Sequence, residues 1–183
     1  YKIKSSKLRK YKNSNLKIFE EIDYIFCLGS TKIIPDLILK KVKIGAINFH
    51  PSLLPRYRGR YSTVKAIFNN DKFSGITIHW IDKKIDAGKI ILKKKFPIKK
   101  SDTAKDLYKK FTQTGFLEFK KLYKKIKKNK PVYSYELKKS STKYNEKTLP
   151  NNGIINWNWS GKKILNFIRC MTYEPFEPPK FHL

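Results

Sequence analysis

An α/β fold is what this sequence predicts, and three stretches predict it. Ile22 to Leu28 is a short apolar run of the kind that forms a buried strand, followed by a Gly29-Ser30-Thr31 break and a helical stretch from about Pro35 to Lys41. Ile44 to Phe49 is a second such run, and Pro51, which has no backbone donor, closes it. Between Ala104 and Ile126 the apolar residues Leu107, Tyr108, Phe111, Gly115, Phe119 and Leu122 recur at the helical period. Strands alternating with helices stack as a sheet covered by helices.

The elements follow in order. Tyr1 to Glu20 is polar and basic, a helix or a linker. Pro35 suits a first helical turn, where its missing donor costs nothing. In the strand that ends at Phe49, side chains two apart share a face, so Asn48 and His50 point the same way. The loop after them is bracketed by Pro51 and Pro55 and closed by Gly59. Ser62 stands where it caps a short helix through Phe68, which Asn69-Asn70-Asp71 ends. Ile76 to Ile81 alternates as a strand, with Ile78 and Trp80 on one face and Thr77 and His79 on the other. Asp86 then begins a turn, Ile85-Asp86-Ala87-Gly88, into Lys89-Ile90-Ile91-Leu92. Ser101 or Asp102 is the expected cap of the long helix, and Asn129 and Pro131 stop it. Tyr133 to Pro150 reads as polar and irregular.

Composition excludes several classes. The chain of 183 residues is 40 % apolar, enough for a core, so global disorder is not expected. No run of 18 apolar residues and no signal-peptide pattern occurs, so the expectation is a soluble, cytoplasmic protein with no membrane partner. Cys27 and Cys170 have no metal or redox spacing and read as buried thiols. The net charge of +28 suggests nucleic acid, yet only five of the 42 basic residues are arginine (Arg9, Arg56, Arg58, Arg60 and Arg169), and the lysines are spread throughout. A surface built to read phosphates clusters its charge and enlists arginine. General attraction of anionic substrates is the simpler consequence.

Two of the three parts of an acyl transfer stand in Asn48 and His50. A carboxamide donates to an oxygen that is becoming negative, and an imidazole with a reference pKa near ~6.5 carries protons at neutral pH. Asp86 is the candidate third part, a carboxylate that orients the ring. Taken singly, each has another reading: His50 as a satisfied or capping histidine, Asp86 as a turn residue.

The segment Asn48-Phe49-His50-Pro51-Ser52-Leu53-Leu54-Pro55, the strand Gly75-Ile76-Thr77-Ile78-His79 and the turn Ile85-Asp86-Ala87-Gly88 occur in that order. Together they resemble the folate-dependent formyltransferase family, over about residues 23–181. The resemblance implies a Rossmann-like formyltransferase domain with a mixed sheet. It implies transfer of a formyl group from N10-formyltetrahydrofolate, with Asn48, His50 and Asp86 catalytic and no metal. A protonated His50 and Asn48 would hold the oxyanion, and Asp86 would raise the His50 pKa and relay protons. His79 matches the family's second histidine and is expected to support the site. By alignment, Thr31, Lys32 and Ile34 on the loop after the first strand, and Ile81, Lys83 and Ile85 on the loop before Asp86, would contact the folate. Ile34 taken by itself reads as an ordinary core residue.

Asn152 to Trp157 resembles the family's short strand beyond the domain, Ile164 to Arg169 the helix after it, and Met171 to Pro179 the proline-rich exit of sugar N-formyltransferases. Only about twenty residues precede Ile22, where the family has its first strands, and the chain begins at Tyr1. The expectation is therefore a piece of a longer enzyme, with residues 1–131 the later part of the catalytic domain and 132–183 a linker and the start of an extension. Lys65 and Ala87 depart from the common aromatic and threonine. The expected acceptor is a nucleotide-linked amino sugar. Initiator methionyl-tRNA is the alternative, and a basic RNA-binding module without catalysis is the alternative of another class. A homodimer stays open.

Overall fold

The computed structural model describes residues 13–30, 33–137, 148–174 and 178–181. Four strands form one sheet in sequence order: β1 (Tyr24–Leu28), β2 (Gly45–His50), β3 (Phe73–Trp80) and β4 (Ile90–Pro97). β1 and β2 run parallel, joined through the short helix α1 (Asp36–Leu39), while β3 and β4 add antiparallel, so the sheet is mixed. Isoleucine, threonine and aromatic side chains fill β2 and β3, as a pleated, covered surface favours.

One face of the sheet packs on α3 (Ala104–Lys127). Ile47 and Phe49 of β2 and Ile76 and Ile78 of β3 join Phe111 and Leu122 in a single apolar cluster. Gly115 permits that approach, since a Cβ there would lie 3.1 Å from Ile76 Cδ1. The opposite face is covered at β1 by α1 and by a 3-10 helix, Asn13–Glu21, through Phe19, Cys27, Ile34, Ile38, Val42 and Ala46. A third cluster lies off the sheet: α2 (Ser62–Phe68) packs on α4 (Gly161–Met171) through Val64, Ile67, Phe167, Cys170 and Met171.

Several local expectations are corrected. Ser62 is the first helical residue of α2, and the cap is Tyr61 in left-handed conformation (φ 61°) with no side-chain cap bond. The cap of α3 is Thr103, neither Ser101 nor Asp102, because Thr103 and Asp106 satisfy each other's backbone N–H groups in a capping box. No strand runs from Asn152 to Trp157. Asn151 and Asn152 take left-handed conformations inside a 3-10 turn, Pro150–Gly153, and Ile154 forms an isolated bridge with Lys180. α4 extends beyond Ile164 to Arg169 on both sides, capped by Ser160. β4 was not anticipated at this length. Within the proline-rich exit, residues 175–177 lie outside the described residues.

Candidate active site

The pleat of β2 places Asn48 and His50 on the face turned away from α3, and the antiparallel register sets His79 opposite Asn48 and Thr77 opposite His50. Asp86 comes to the same place from the loop between β3 and β4. Its backbone is left-handed (φ 49°), a conformation aspartate tolerates better than most residues. Gly88 makes the loop feasible, for a Cβ there would lie 1.9 Å from the Trp80 carbonyl oxygen.

The three residues expected to be catalytic are brought together. Asp86 Oδ2 lies 3.3 Å from His50 Nδ1 and accepts from the Gly59 N–H at 2.7 Å, while Asp86 Oδ1 accepts from Asn48 Nδ2 at 3.3 Å. His79 joins them: its Nε2 is 3.2 Å from Asn48 Nδ2 and 3.4 Å from Asp86 Oδ1. The two rings are withdrawn from solvent, His50 3 % and His79 1 % exposed, while Asn48 and Asp86 are half-buried.

Both nitrogens of the His50 ring face acceptors. The Tyr57 carbonyl at 2.8 Å from Nε2 and Asp86 Oδ2 at 3.3 Å from Nδ1 compete for the hydrogen of the neutral ring, and the shorter contact favours Nε2. His79 Nδ1 likewise donates to the Trp80 carbonyl at 2.8 Å, and its Nε2 lies between the Asn48 amide and Asp86 Oδ1.

Electrostatics correct one expectation. Burial lowers the His50 pKa below the ordinary histidine value; the Asp86 charge and the Tyr57 carbonyl raise it, but burial prevails, with His79 adding to the lowering. His50 is therefore neutral at pH 7 in the resting site, not the protonated donor expected from the sequence. Asp86 goes the other way. Burial alone would raise it, yet His79, the His50 ring and the Gly59 N–H together bring it down to about 2.

The loop over the site is tied at several points. Thr77 Oγ1 donates to the Ser52 carbonyl at 2.6 Å and accepts from the Leu54 N–H at 3.0 Å, and Lys93 Nζ donates to the Leu54 carbonyl. Tyr57 itself is left-handed (φ 54°), a conformation that costs a residue with a Cβ about 1–2 kcal/mol. Three groups that the sequence reading did not single out therefore hold the site: the Tyr57 carbonyl, the Gly59 N–H and Thr77.

The residues expected to touch a folate divide. Ile34 is buried in the α1 cluster, and Ile81 packs against that cluster and donates its N–H to the Ala46 carbonyl at 2.7 Å. Lys83 and Ile85 are exposed on the loop that leads to Asp86, Ile85 by 48 %. Thr31 and Lys32 lie outside the described residues. Among the described residues no group of three or more His, Cys, Asp or Glu side chains is arranged to hold a metal ion, and no helix is long and apolar enough to cross a membrane.

Comparison with known proteins bears on the family. The sequence profile of the formyl transferase family matches residues 1–122. The bifunctional polymyxin resistance protein ArnA of Wigglesworthia glossinidia brevipalpis is 37 % identical over 150 residues, which are 82 % of this chain and 23 % of that protein. GDP-perosamine N-formyltransferase of Brucella melitensis is 33 % identical over 156 residues, 85 % of this chain and 59 % of the relative. Methionyl-tRNA formyltransferases match as well, that of Thermodesulfovibrio yellowstonii at 35 % over 147 residues, 80 % of this chain and 47 % of the relative. Among solved structures, the N-formyltransferase of Helicobacter canadensis in complex with folinic acid and dTDP-3-aminofucose superposes with a TM-score of 0.77 at 29 % identity, covering 94 % of this chain and 62 % of that one. The chain thus spans less than two thirds of the length of these relatives.

Proposed function

The chain belongs to the formyl transferase family, and from that premise we propose that it carries the catalytic centre of an enzyme that moves a formyl group from N10-formyltetrahydrofolate to the primary amine of a nucleotide-linked amino sugar. The observation that carries this reading is the meeting of Asn48, His50 and Asp86, each within 3.3 Å of the next group. The folate reading draws on the Helicobacter canadensis complex with folinic acid, and the sugar reading on that complex and on the GDP-perosamine enzyme.

The chemistry follows from the proton positions. The acceptor amine attacks the formyl carbon, a C–N bond forms, and the carbonyl electron pair moves onto oxygen. The Asn48 amide turns one of its two hydrogens from Asp86 or His79 to that oxyanion. His50 Nδ1, unprotonated in the Nε2–H ring, takes the proton that the amine sheds, and Asp86, 3.3 Å away, stabilises the imidazolium so formed. The same Nδ1–H then protonates N10 of the folate as its bond to the formyl carbon breaks, releasing a formamide and tetrahydrofolate. His79 acts through Asn48, as a positioning residue. Thr31, Lys32, Ile34, Ile81, Lys83 and Ile85 stay assigned to the folate side, with Ile34 and Ile81 contributing as the buried support of their loops and Lys83 and Ile85 as its exposed surface. No metal takes part in the scheme.

Methionyl-tRNA is the second acceptor, favoured by the relatives of that name. The test is formyl transfer by the intact enzyme from ¹³C-formyl tetrahydrofolate, followed by mass spectrometry, with dTDP- and GDP-linked amino sugars set against initiator methionyl-tRNA. Label on a sugar amine is the expected result. Label on methionyl-tRNA alone replaces the acceptor, and label on neither overturns the proposal.

A further inference from the structure

The Tyr57 carbonyl that holds His50 Nε2 is itself held from a distance. Tyr57 is 3 % exposed and left-handed, and its ring hydroxyl donates to Asp71 Oδ2 at 2.8 Å and accepts from Asn69 Nδ2 at 3.1 Å. Asp71 follows directly on the last turn of α2, its N–H donating to the Ala66 carbonyl at 3.0 Å. Its other oxygen accepts from Arg56 Nη2 at 2.8 Å, and that guanidinium lies 5.2 Å from the Tyr57 ring centroid. Burial pushes the Tyr57 phenol up to about 12, so it stays a donor toward Asp71 across the working range of pH. The end of α2 is thereby linked to the ring of His50 through one side chain whose backbone would otherwise relax to negative φ.

We propose that Asp71 and the Tyr57 hydroxyl are positioning residues for the formyl-transfer reaction: they pin the Tyr57 carbonyl against His50 Nε2 and so hold the ring hydrogen there, against the pull of Asp86 on Nδ1. This rests on the catalytic reading above. With the clamp released, Nε2 loses its acceptor. Asp86 Oδ2, 3.3 Å from Nδ1, then draws the ring hydrogen to Nδ1, and the base is lost. The groups that face His50 are the Asp86 carboxylate, the His79 ring at 6.5 Å between centroids, and the Tyr57 carbonyl, so only the last of these answers to Asp71.

The experiment has two arms on the intact protein and on its Tyr57→Phe, Asp71→Ala and Asp71→Asn variants. Ring ¹⁵N chemical shifts of His50 at neutral pH read the tautomer without any substrate. The parent is expected to be the Nε2–H form, Tyr57→Phe and Asp71→Ala a mixture with the Nδ1–H form, and Asp71→Asn, which keeps an acceptor for the hydroxyl, close to the parent. Steady-state formyl transfer is expected to show kcat lower by about 10-fold or more in Tyr57→Phe and Asp71→Ala with KM within about 3-fold. An unchanged tautomer in both variants overturns the clamp, as does a failure of both to fold, which would make the pair a determinant of fold instead. If the parent transfers no formyl group, the catalytic reading falls, and the tautomer arm still decides whether the clamp sets the ring.

Discussion

β2 carries two regions of opposite character one residue apart. Ile47 and Phe49 face α3 and are 0 % and 1 % exposed, in a cluster of six buried apolar residues. Asn48 and His50 face the other way, among His79, Thr77 and Asp86. Both faces are covered, the polar one less completely since Asn48 and Asp86 are half-buried, and burial does different work on each. On the apolar face, dispersion and the hydrophobic effect act without direction, so many neighbours share the load. On the polar face, each donor has one or two acceptors at fixed angles, and burial sharpens every charge while lowering the pKa of the ring it surrounds. The pleat alone keeps stability and chemistry apart.

That separation can be broken from either side. The largest effect is expected from His50→Ala, which removes the proton acceptor. Formyl transfer by the intact enzyme should fall by roughly 10⁴-fold, while the thermal unfolding midpoint moves by only a few degrees. Phe49→Ala should do the reverse. It is expected to cost about 3–5 kcal/mol in urea unfolding and to leave kcat per folded molecule unchanged. Asn48→Ala should lower kcat by about 10²–10³-fold, as the loss of one oxyanion donor does, with KM for the folate little altered.

A smaller effect, graded with pH, sharpens the comparison. The His50 pKa is depressed in the folded state, so the unfolded chain binds its proton first. The stability linked to His50 is then fully present above about pH 6.5 and is lost as pH falls below it. Asp86, held at about 2, has the same sign in a lower window, its contribution fading between about pH 4 and pH 2. The urea midpoint should therefore fall between pH 7 and pH 5 in the parent and fall less steeply in His50→Ala. The acid limb of kcat/KM should likewise lie below about pH 6.5.

What could be read in the chain followed from where side-chain chemistry reports on structure. β1 and β2 show as apolar runs, β3 and α3 in apolar periodicity, and α4, like Asn48, His50 and Asp86, through residues that carry the resemblance. The rest was hidden for physical reasons. The Tyr57 carbonyl and the Gly59 N–H are main-chain groups, which every residue has, so no residue type announces them. β4 is disguised by Lys93, Lys94 and Lys95: as the last strand of the described sheet it carries the lysines that blunt an edge, and these erase the alternation that marks a covered strand. The cap at Thr103 lies one residue past Asp102, because Asp102 accepts from the Lys99 N–H at 2.7 Å and pairs with Lys110 Nζ. Ile34 was legible both ways, and its side chain lies in the core.

The account stands most directly on what Asp86 does for His50. Measured by formyl transfer from N10-formyltetrahydrofolate in the intact enzyme, Asp86→Asn keeps the shape and most hydrogen bonds of the turn but cannot stabilise an imidazolium, so activity should all but vanish while the protein still melts cooperatively. A variant that retains activity within about 10-fold of the parent would contradict it.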